Sequence, residues 1–310
     1  MPDAMDIVGP DCSISIVTCK RPAMLSRLLQ SICAQKQIDR YALEIVVVDN
    51  DPQRSAEPVV QDFKNSSRQE LFYFVQPKKN ISLSRNLAVA KARGRYIAFI
   101  DDDEYATEAW LEQMIDTAER FGADGVFGPV VPDFHPHTPG WLRNGHFFEE
   151  TLVNLPTGSP AVDTWSGNCL LKASLLRSIP GPFDESFGTT GGEDTGLFDK
   201  LARGGARFVY CAEANVYEAV PPERTTVSYI MKKALRGGNA HTRRMLDRAR
   251  RKAMARLFML VKALCQGAVA VALTIVSAPS RAASIKWTAK IASNIGRLLA
   301  VFNWHYQAYK

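Results

Sequence analysis

The feature that most constrains the fold of this chain is an alternation of short apolar strand patterns with amphipathic helical patterns across its first two hundred residues. Strands are predicted at 14–17, 44–48, 72–75, 96–100, 125–131, 168–171 and 207–210, and helices at 23–35, 82–92, 107–121 and 193–202. Three of the helical patterns are followed by a glycine, as helix C-termini often are: Gly94, Gly122 and Gly204. Such alternation predicts an α/β fold in which helices flank a mostly parallel sheet.

Carboxylates follow the predicted strand 96–100 without a break. The run is Asp101, Asp102, Asp103 and Glu104, and ligands of α/β sheets bind at the carboxyl ends of strands. Asp101 and Asp103 form an Asp-x-Asp pair, and oxygen ligands of this kind suit Mg²⁺ or Mn²⁺. The run therefore predicts a metal site, and the alternative is a solvated acidic turn that caps the next helix.

Polar residues also follow the earlier strands. Thr18 and Lys20 end the first strand, and Asp49 ends the second. Asn80 begins a helical segment that contains Arg85, a cation able to neutralise phosphate near a helix N-terminus. These positions predict a nucleotide site, whereas ordinary turn and N-cap patterns are the alternative.

Two later segments are candidates for the acceptor side of a reaction. Gly167 precedes the strand at 168–171 and Asn168 begins it, where they could face an acceptor. Glu193 and Asp194 open a predicted helix, and a carboxylate in a first helical turn is kept ionised by the helix dipole. This position suits a general base, and simple helix capping is the alternative. Residues 130–162, rich in proline, glycine, histidine and aromatic residues, are predicted to form a long active-site loop, and a plain irregular connection is the alternative.

Taken in order along residues 13–217, these segments resemble glycosyltransferase family 2. The resemblance rests on Thr18 to Pro22, Asp49, Asn80 with Arg85-Asn86, Asp101-x-Asp103, and Glu193-Asp194. It is greatest to glucosyltransferases that assemble bacterial exopolysaccharides such as succinoglycan. The resemblance implies a GT-A fold, with a Rossmann-like, mostly parallel sheet, and a UDP-sugar donor.

The resemblance also implies roles for individual residues. Thr18, Lys20, Asp49 and Arg85 would contact the uridine or its phosphates, with Asn80 in the same segment. Asp101 would hold the ribose or the metal shell, and Asp103 would bind Mg²⁺ or Mn²⁺. Asp194 would be the catalytic base, with Glu193 supporting acceptor binding. Lys20 departs from the aromatic residue that many members have there.

The implied reaction is the inverting, metal-dependent transfer of one sugar, with glucose favoured. The acceptor would be a hydroxyl of a lipid-linked oligosaccharide in cell-surface or exopolysaccharide synthesis. No Gln-x-x-Arg-Trp sequence follows Asp194, which indicates single transfers rather than processive polymerisation. The alternative is a non-catalytic protein in which a degenerate domain binds sugar nucleotides or a membrane surface.

Charge divides the chain into two predicted domains, a catalytic domain at 1–223 and a helical region at 224–310. The first has 21 basic and 31 acidic residues, a net charge of −10, and the second has 17 basic and one acidic residue, a net charge of +16. Residues 257–277 are almost wholly apolar and 284–302 are helical, which predicts a spanning or peripheral attachment to an anionic membrane. A buried helical hairpin is the alternative.

The basic region predicts membrane lipid rather than nucleic acid as its partner. Residues 231–256 contain no aromatic side chain on which a base could stack. The N-terminus has no signal-peptide pattern, and the six cysteines form no C-x-x-C pair. These observations predict a location at the cytoplasmic face of the inner membrane.

Overall fold

The computed structural model describes residues 9–36, 38–148, 155–161 and 164–304. Its strands are β1 (Cys12–Thr18), β2 (Leu43–Asp49), β3 (Glu70–Val75), β4 (Tyr96–Ile100), β5 (Glu104–Ala106), β6 (Gly125–Phe127), β7 (Val130–Phe134), β8 (Asn168–Lys172), β9 (Phe208–Tyr210) and β10 (Val216–Val220). Its helices are α1 (Pro22–Cys33), α2 (Glu57–Ser66), α3 (Ile81–Lys91), α4 (Trp110–Phe121), α5 (Gly140–Arg143), α6 (Ala173–Arg177), α7 (Glu193–Arg203), α8 (Val227–Arg248), α9 (Lys252–Val276) and α10 (Arg281–Val301).

The main sheet has seven strands in the order β3-β2-β1-β4-β8-β6-β9. Neighbouring strands are parallel except at β8, which runs antiparallel to both β4 and β6. Thr18 pairs with Asp49, and Ile100 pairs with Asn168. The carboxyl ends of β1, β2 and β4 therefore meet the amino end of β8 at one edge. The predicted α/β fold with a mostly parallel sheet is confirmed.

Both faces of the sheet are covered, because successive side chains of a strand point to opposite sides. In β4, Ala98 and Ile100 belong to one buried cluster, whereas Ile97 and Phe99 belong to another. The first cluster includes Trp110 of α4 and side chains of α1 and α2, and the second includes side chains of α6 and α7. Each large side chain buried in this way contributes roughly 1.5–3 kcal/mol.

The predicted strand at 125–131 is wrong in extent, because two strands of different sheets occupy these residues. β6 belongs to the main sheet, whereas β7 belongs to a three-stranded sheet of order β5-β10-β7. Pro129 has no N–H to donate to a ladder. A side chain at Gly128 would place its Cβ 2.4 Å from the carbonyl oxygen of Ala214. These two residues break the strand.

Of the three glycines predicted to follow helix C-termini, only Gly122 adopts the left-handed conformation typical of that position, with φ of 59° at the end of α4. Gly94 instead allows a close approach, since a Cβ there would lie 2.5 Å from the backbone nitrogen of Ser13. After α7 the positive φ belongs to Gly205 rather than to Gly204. The predicted loop at 130–162 begins with β7 and contains α5, and its residues 149–154 and 162 lie outside the described residues.

The chain divides into two compact units. One comprises Met1–Val131, Glu150–Gly188 and Glu193–Glu218, and the other comprises Pro132–Glu149, Thr189–Gly192 and Ala219–Lys310. The second unit is built on α8, α9 and α10, with α10 packed along both of the others. Among the described residues, α9 is the one helix long and apolar enough to cross a membrane. The predicted domain boundary at 223/224 stays a prediction.

Candidate active site

The carboxylate run after β4 is held by residues at the end of β1. The hydroxyl of Thr18 donates a hydrogen bond of 2.8 Å to Asp102. The Nη1 atom of Arg21 lies 2.9 Å from an oxygen of Asp102 and 3.2 Å from an oxygen of Asp103. Burial raises the pKa of Asp102 to about 6, although Arg21 opposes that shift. Arg21 thus offsets part of the negative charge that the sequence places here.

Arg85 joins this run to the start of α7. Its Nη2 donates to Asp101 at 3.2 Å, and its Nη1 donates to Glu193. The Arg85 side chain is only 5% exposed, and its planar guanidinium can bond two carboxylates in fixed directions. Residues 108 positions apart in the chain are therefore fixed in one site by a buried cation.

Asp101 combines an accessible side chain with a raised pKa. Its side chain is 44% exposed, yet the protein atoms around it raise its pKa by desolvation. Asp103 and Asp194 raise this pKa further by charge repulsion, whereas Arg85 lowers it. The charge of Asp194 therefore acts on the carboxylate run, so the two acidic motifs share one site.

Glu193 is almost fully buried, with 4% of its surface exposed. Its Oε1 accepts from Arg85, while its Oε2 has no hydrogen-bond partner among the described residues. Burial raises the pKa of Glu193 to about 7, against the opposing effect of Arg85, and the charge of Asp194 adds to the increase. Glu193 can therefore carry a proton near neutral pH.

Asp194, the second residue of α7, keeps part of its surface exposed. Its Oδ2 accepts from the backbone N–H of Ser166 at 3.3 Å and from the Ser166 hydroxyl at 3.4 Å. Its Oδ1 accepts from the N–H of Thr195 at 2.6 Å. These hydrogen bonds hold the Asp194 carboxylate in a fixed orientation, and its exposed part leaves it accessible to act as a general base.

The segment before β8 comes close to the carboxylate run. A Cβ at Gly167 would lie 2.5 Å from Oε1 of Glu104. Glu104 is buried, accepts from the N–H of Asp101 at 2.9 Å, and has a pKa that burial raises well above its usual range. Because Gly167 has no side chain, this segment can approach Glu104 closely. The segment therefore contacts Asp194 through Ser166 and lies against Glu104, which is bonded to the turn that carries Asp101.

Asp49 and Lys20, both predicted to contact the nucleotide, have different surroundings. The carboxylate of Asp49 is fully buried and accepts from two backbone N–H groups of the next turn and from the Tyr73 hydroxyl. A nucleotide would have to replace one of these bonds to reach it directly. Lys20 is exposed, with φ of 57°, and its backbone N–H donates to Ser55. Their roles stay predictions.

Asn80 and Asn168 both use their side-chain amides within the protein. Asn80 caps α3 by accepting from the N–H of Leu83, and its Nδ2 donates to the carbonyl of Glu185. Asn168 is fully buried: it accepts from the indole of Trp110 and donates to two carbonyls. In this structure Asn168 therefore offers no surface to an acceptor, and its predicted binding role is untested.

The site fits a hard divalent cation that shares its coordination with the substrate. Among the described residues, no group of three or more His, Cys, Asp or Glu side chains forms a metal site made by protein alone. Asp101 and Asp103 supply only carboxylate oxygens. Mg²⁺ and Mn²⁺ accept such ligands, and Mg²⁺ commonly takes one or two carboxylates together with phosphate and water.

Three residues of the site were given no individual role in the sequence analysis: Arg21, Glu104 and Ser166. Arg21 stands in the turn after a strand, as Lys20 does, and that position was the available signal. Glu104 and Ser166 adjoin residues that were predicted, but only the fold shows which of their atoms point to Asp101 and Asp194.

Comparison with known proteins identifies the family. The model described as "Glycosyl transferase family 2" matches residues 13–179. The succinoglycan biosynthesis protein ExoM of Rhizobium meliloti (strain 1021) is 32% identical over 236 residues, which cover 76% of this chain and 75% of ExoM. The chain belongs to glycosyltransferase family 2. It is a glycosyltransferase, and the predicted resemblance to proteins of succinoglycan synthesis is confirmed.

Further comparisons give a more distant relative by sequence and a solved structure with the same fold. The glucosyl-dolichyl phosphate glucuronosyltransferase of Haloferax volcanii is 24% identical, with 76% of this chain and 77% of that protein covered. The crystal structure of S. aureus TarS 1–349 in complex with UDP superposes with a TM-score of 0.56 at 16% identity, covering 96% of this chain and 92% of TarS 1–349. The chain spans 41% of a longer TarS structure. The GT-A-like fold is thereby confirmed.

Proposed function

We propose that this glycosyltransferase transfers a single sugar, with glucose favoured, from a UDP-sugar to a hydroxyl group with inversion at the anomeric carbon. The observation that carries the proposal is the bridge from Asp101 through Arg85 to Glu193, beside Asp194. This bridge places the candidate metal ligands Asp101 and Asp103 in the same site as the candidate base Asp194. The structure of TarS 1–349 in complex with UDP-GlcNAc supports a UDP-sugar donor for this fold.

The proposed reaction is one in-line displacement. Asp194 takes the proton of the acceptor hydroxyl while that oxygen bonds to the anomeric carbon. The bond from this carbon to the diphosphate breaks, and UDP leaves with the electron pair. Ser166 and the N–H of Thr195 hold Asp194 in place before the reaction. Arg85 donates hydrogen bonds to both Asp101 and Glu193 and so keeps these two carboxylates at fixed positions around its guanidinium group.

We propose that Asp103, with Asp101 beside it, holds Mg²⁺ or Mn²⁺ together with the donor diphosphate. When bound, the cation supplies positive charge that stabilises the leaving diphosphate. Arg21, which contacts Asp102 and Asp103, holds these carboxylates in a fixed orientation.

We propose a lipid-linked oligosaccharide as the acceptor and cell-surface or exopolysaccharide synthesis as the setting. The similarity to ExoM supports this setting, and the apolar helix α9 supports association with a membrane. The enzyme would then act at the cytoplasmic face, where UDP-sugars are available.

A donor screen tests the proposal. Purified enzyme is incubated with membrane extract and a panel of UDP-sugars, with and without EDTA. We expect transfer from one UDP-sugar, most readily UDP-glucose, and loss of transfer when EDTA is present. Asp194→Asn should lower kcat by about 10²–10⁴-fold, while UDP binding, measured by calorimetry with Mn²⁺, should be unchanged.

Asp199→Asn is the matched control, because Asp199 is a carboxylate of the same helix and contacts Arg203. It should retain the parent activity. Transfer that is unaffected by EDTA would disprove the metal role, and an Asp194→Asn enzyme as active as the parent would disprove the base assignment. Retained anomeric configuration in the product would exclude single displacement.

A further inference from the structure

One side of α9 is apolar and exposed over its whole length. Residues that recur every three or four positions share this side, which we call the apolar face: Met254, Leu257, Phe258, Val261, Leu264, Cys265, Ala268, Val271, Ala272, Ile275 and Val276. Leu257 and Phe258 are each 63% exposed, and Ile275 is 72% exposed. None of these residues is charged, and one charged side chain, Lys262, lies at the border of the face with its Nζ 5.9 Å from the centre of the Phe258 ring. A soluble protein rarely exposes an apolar surface of this extent without a partner.

Apart from Lys262, the polar side chains of α9 lie on other sides of the helix. Arg256 donates to Asn303 at 3.0 Å, and Gln266 accepts from Arg297 of α10 at 2.5 Å. Met259 and Ala263, which are buried, lie on the side packed against α10. The helix is therefore amphipathic: one side packs against α10, and the opposite side is open.

These contacts also fix the register of α9 against α10. Residue 256 lies beside 303 and residue 266 beside 297, so the two helices run antiparallel. At the same offset, Lys290 and Lys286 of α10 lie beside the C-terminal third of α9, and both are exposed. If α9 crossed a bilayer, α10 would bring these lysines and Arg297 into the hydrocarbon layer, where charges are strongly unfavourable.

Positive charge surrounds the start of α9. Five exposed basic residues lie within nine positions: Arg248, Arg250, Arg251, Lys252 and Arg256. Residues 224–310 as a whole have 17 basic residues and one acidic residue. A basic cluster beside an apolar helix face matches the surface of an anionic bilayer, in which apolar chains underlie negative headgroups.

We propose that α9 lies in the plane of an anionic lipid bilayer, with its apolar face in the acyl region and without crossing the membrane. An exposed apolar face could alternatively bind a second copy of the chain. Self-association through α9 would bring two strongly basic surfaces together, and their repulsion favours the lipid surface. The proposal holds independently of the sugar-transfer reaction.

Flotation with lipid vesicles, without donor or acceptor, tests the lipid partner. We expect the full chain to bind phosphatidylglycerol-containing vesicles at least about tenfold more tightly than phosphatidylcholine vesicles, with weaker binding at high salt. Val261→Asp, at the centre of the apolar face, should weaken binding by about tenfold or more.

Met245→Asp is the matched control, because Met245 is a 41% exposed apolar residue of α8 and the charge change is the same. It should change binding less than about twofold. Equal loss in both variants would overturn the assignment to α9. If the parent chain does not bind vesicles but forms dimers, and if Val261→Asp dissociates these dimers, then the apolar face binds a second copy of the chain.

Thiol labelling separates the in-plane position from spanning. Ala278→Cys places a cysteine in the exposed turn between α9 and α10. It is introduced into a chain in which the exposed cysteines are removed by Cys33→Ala and Cys265→Ala. Bacterial spheroplasts that express this chain are then treated with a membrane-impermeant maleimide. We expect labelling only after lysis, with the chain lacking the new cysteine as background. Labelling of intact spheroplasts would show that α9 spans the membrane and would overturn the proposal. An inactive enzyme that still floats with vesicles would count against the proposed function alone.

Discussion

Glu193 can carry a proton near neutral pH because its carboxyl group is buried and one of its oxygens has no partner among the described residues. Its pKa is about 7 in the folded chain, against an ordinary value of 4.5. The folded state therefore holds the proton more tightly than the unfolded state does. The resulting stabilisation is complete below about pH 4.5 and is lost as the pH rises to about 7.

We accordingly expect the free energy of unfolding to fall between pH 4.5 and 7.5 more steeply in the parent than in Glu193→Gln, whose side chain does not titrate. The difference between the two profiles should change by roughly 2–3 kcal/mol over this range. Urea unfolding at a series of pH values measures it, and taking the difference removes the contribution of other buried carboxylates such as Asp102. Parallel profiles would show that Glu193 is ionised throughout.

Single residues also show where sequence reasoning reaches its limit. The acidic run and the Glu193-Asp194 pair could be located from the sequence because each follows a strand or opens a helix. The partners of these groups could not, since Arg85 meets Glu193 only when the sheet brings α3 and α7 together. A buried Arg85 between two carboxylates is also a different environment from the exposed phosphate contact that its helix position indicates.

At the scale of elements, adjacent glycines in α8 have opposite surroundings. A Cβ at Gly238 would lie 2.0 Å from the carbonyl oxygen of Ser293 in α10, whereas a Cβ at Gly237 would meet nothing within 4 Å. Gly238→Ala should therefore force the helices apart and destabilise the fold by roughly 1–3 kcal/mol. Gly237→Ala should stabilise it by about 0.5–1 kcal/mol, because alanine favours the helix.

Urea unfolding followed by circular dichroism compares these two variants with the parent. The adjacent pair controls for helix propensity, since both changes add the same methyl group to the same helix. Equal shifts in the two midpoints would contradict the close packing of α8 against α10.

The elements themselves could largely be predicted, because their apolar periodicity is strong and local. All but one of the predicted strands correspond to a single observed strand, and the exception at 125–131 divides between β6 and β7. The short strands β5 and β10 escaped prediction because each exists only through its partner in the small sheet. The break between α8 and α9 was missed too, since basic residues continue through it.

For the molecule as a whole, the uneven distribution of charge along the chain bears on how the enzyme binds its substrates. The net charge of −10 in residues 1–223 would repel a nucleotide diphosphate, and in our proposal a divalent cation at the carboxylate run offsets this repulsion. The basic residues that could attract anions are concentrated in 224–310, where they serve the membrane surface in our proposal. Donor binding and divalent cation binding should consequently be coupled.

This coupling predicts how ligands stabilise the whole chain. A ligand present at 100 times its Kd raises the free energy of unfolding by about 2.7 kcal/mol, and UDP with Mn²⁺ should reach this value. UDP alone or Mn²⁺ alone, at the same concentrations, should give much less, because each needs the other to complete its site. Thermal unfolding with the four ligand combinations provides the measurement. Asp103→Asn should abolish the joint effect, whereas Asp62→Asn, an exposed carboxylate of α2, should preserve it. If UDP stabilises the chain fully in EDTA, the carboxylates after β4 do not bind a cation with the donor.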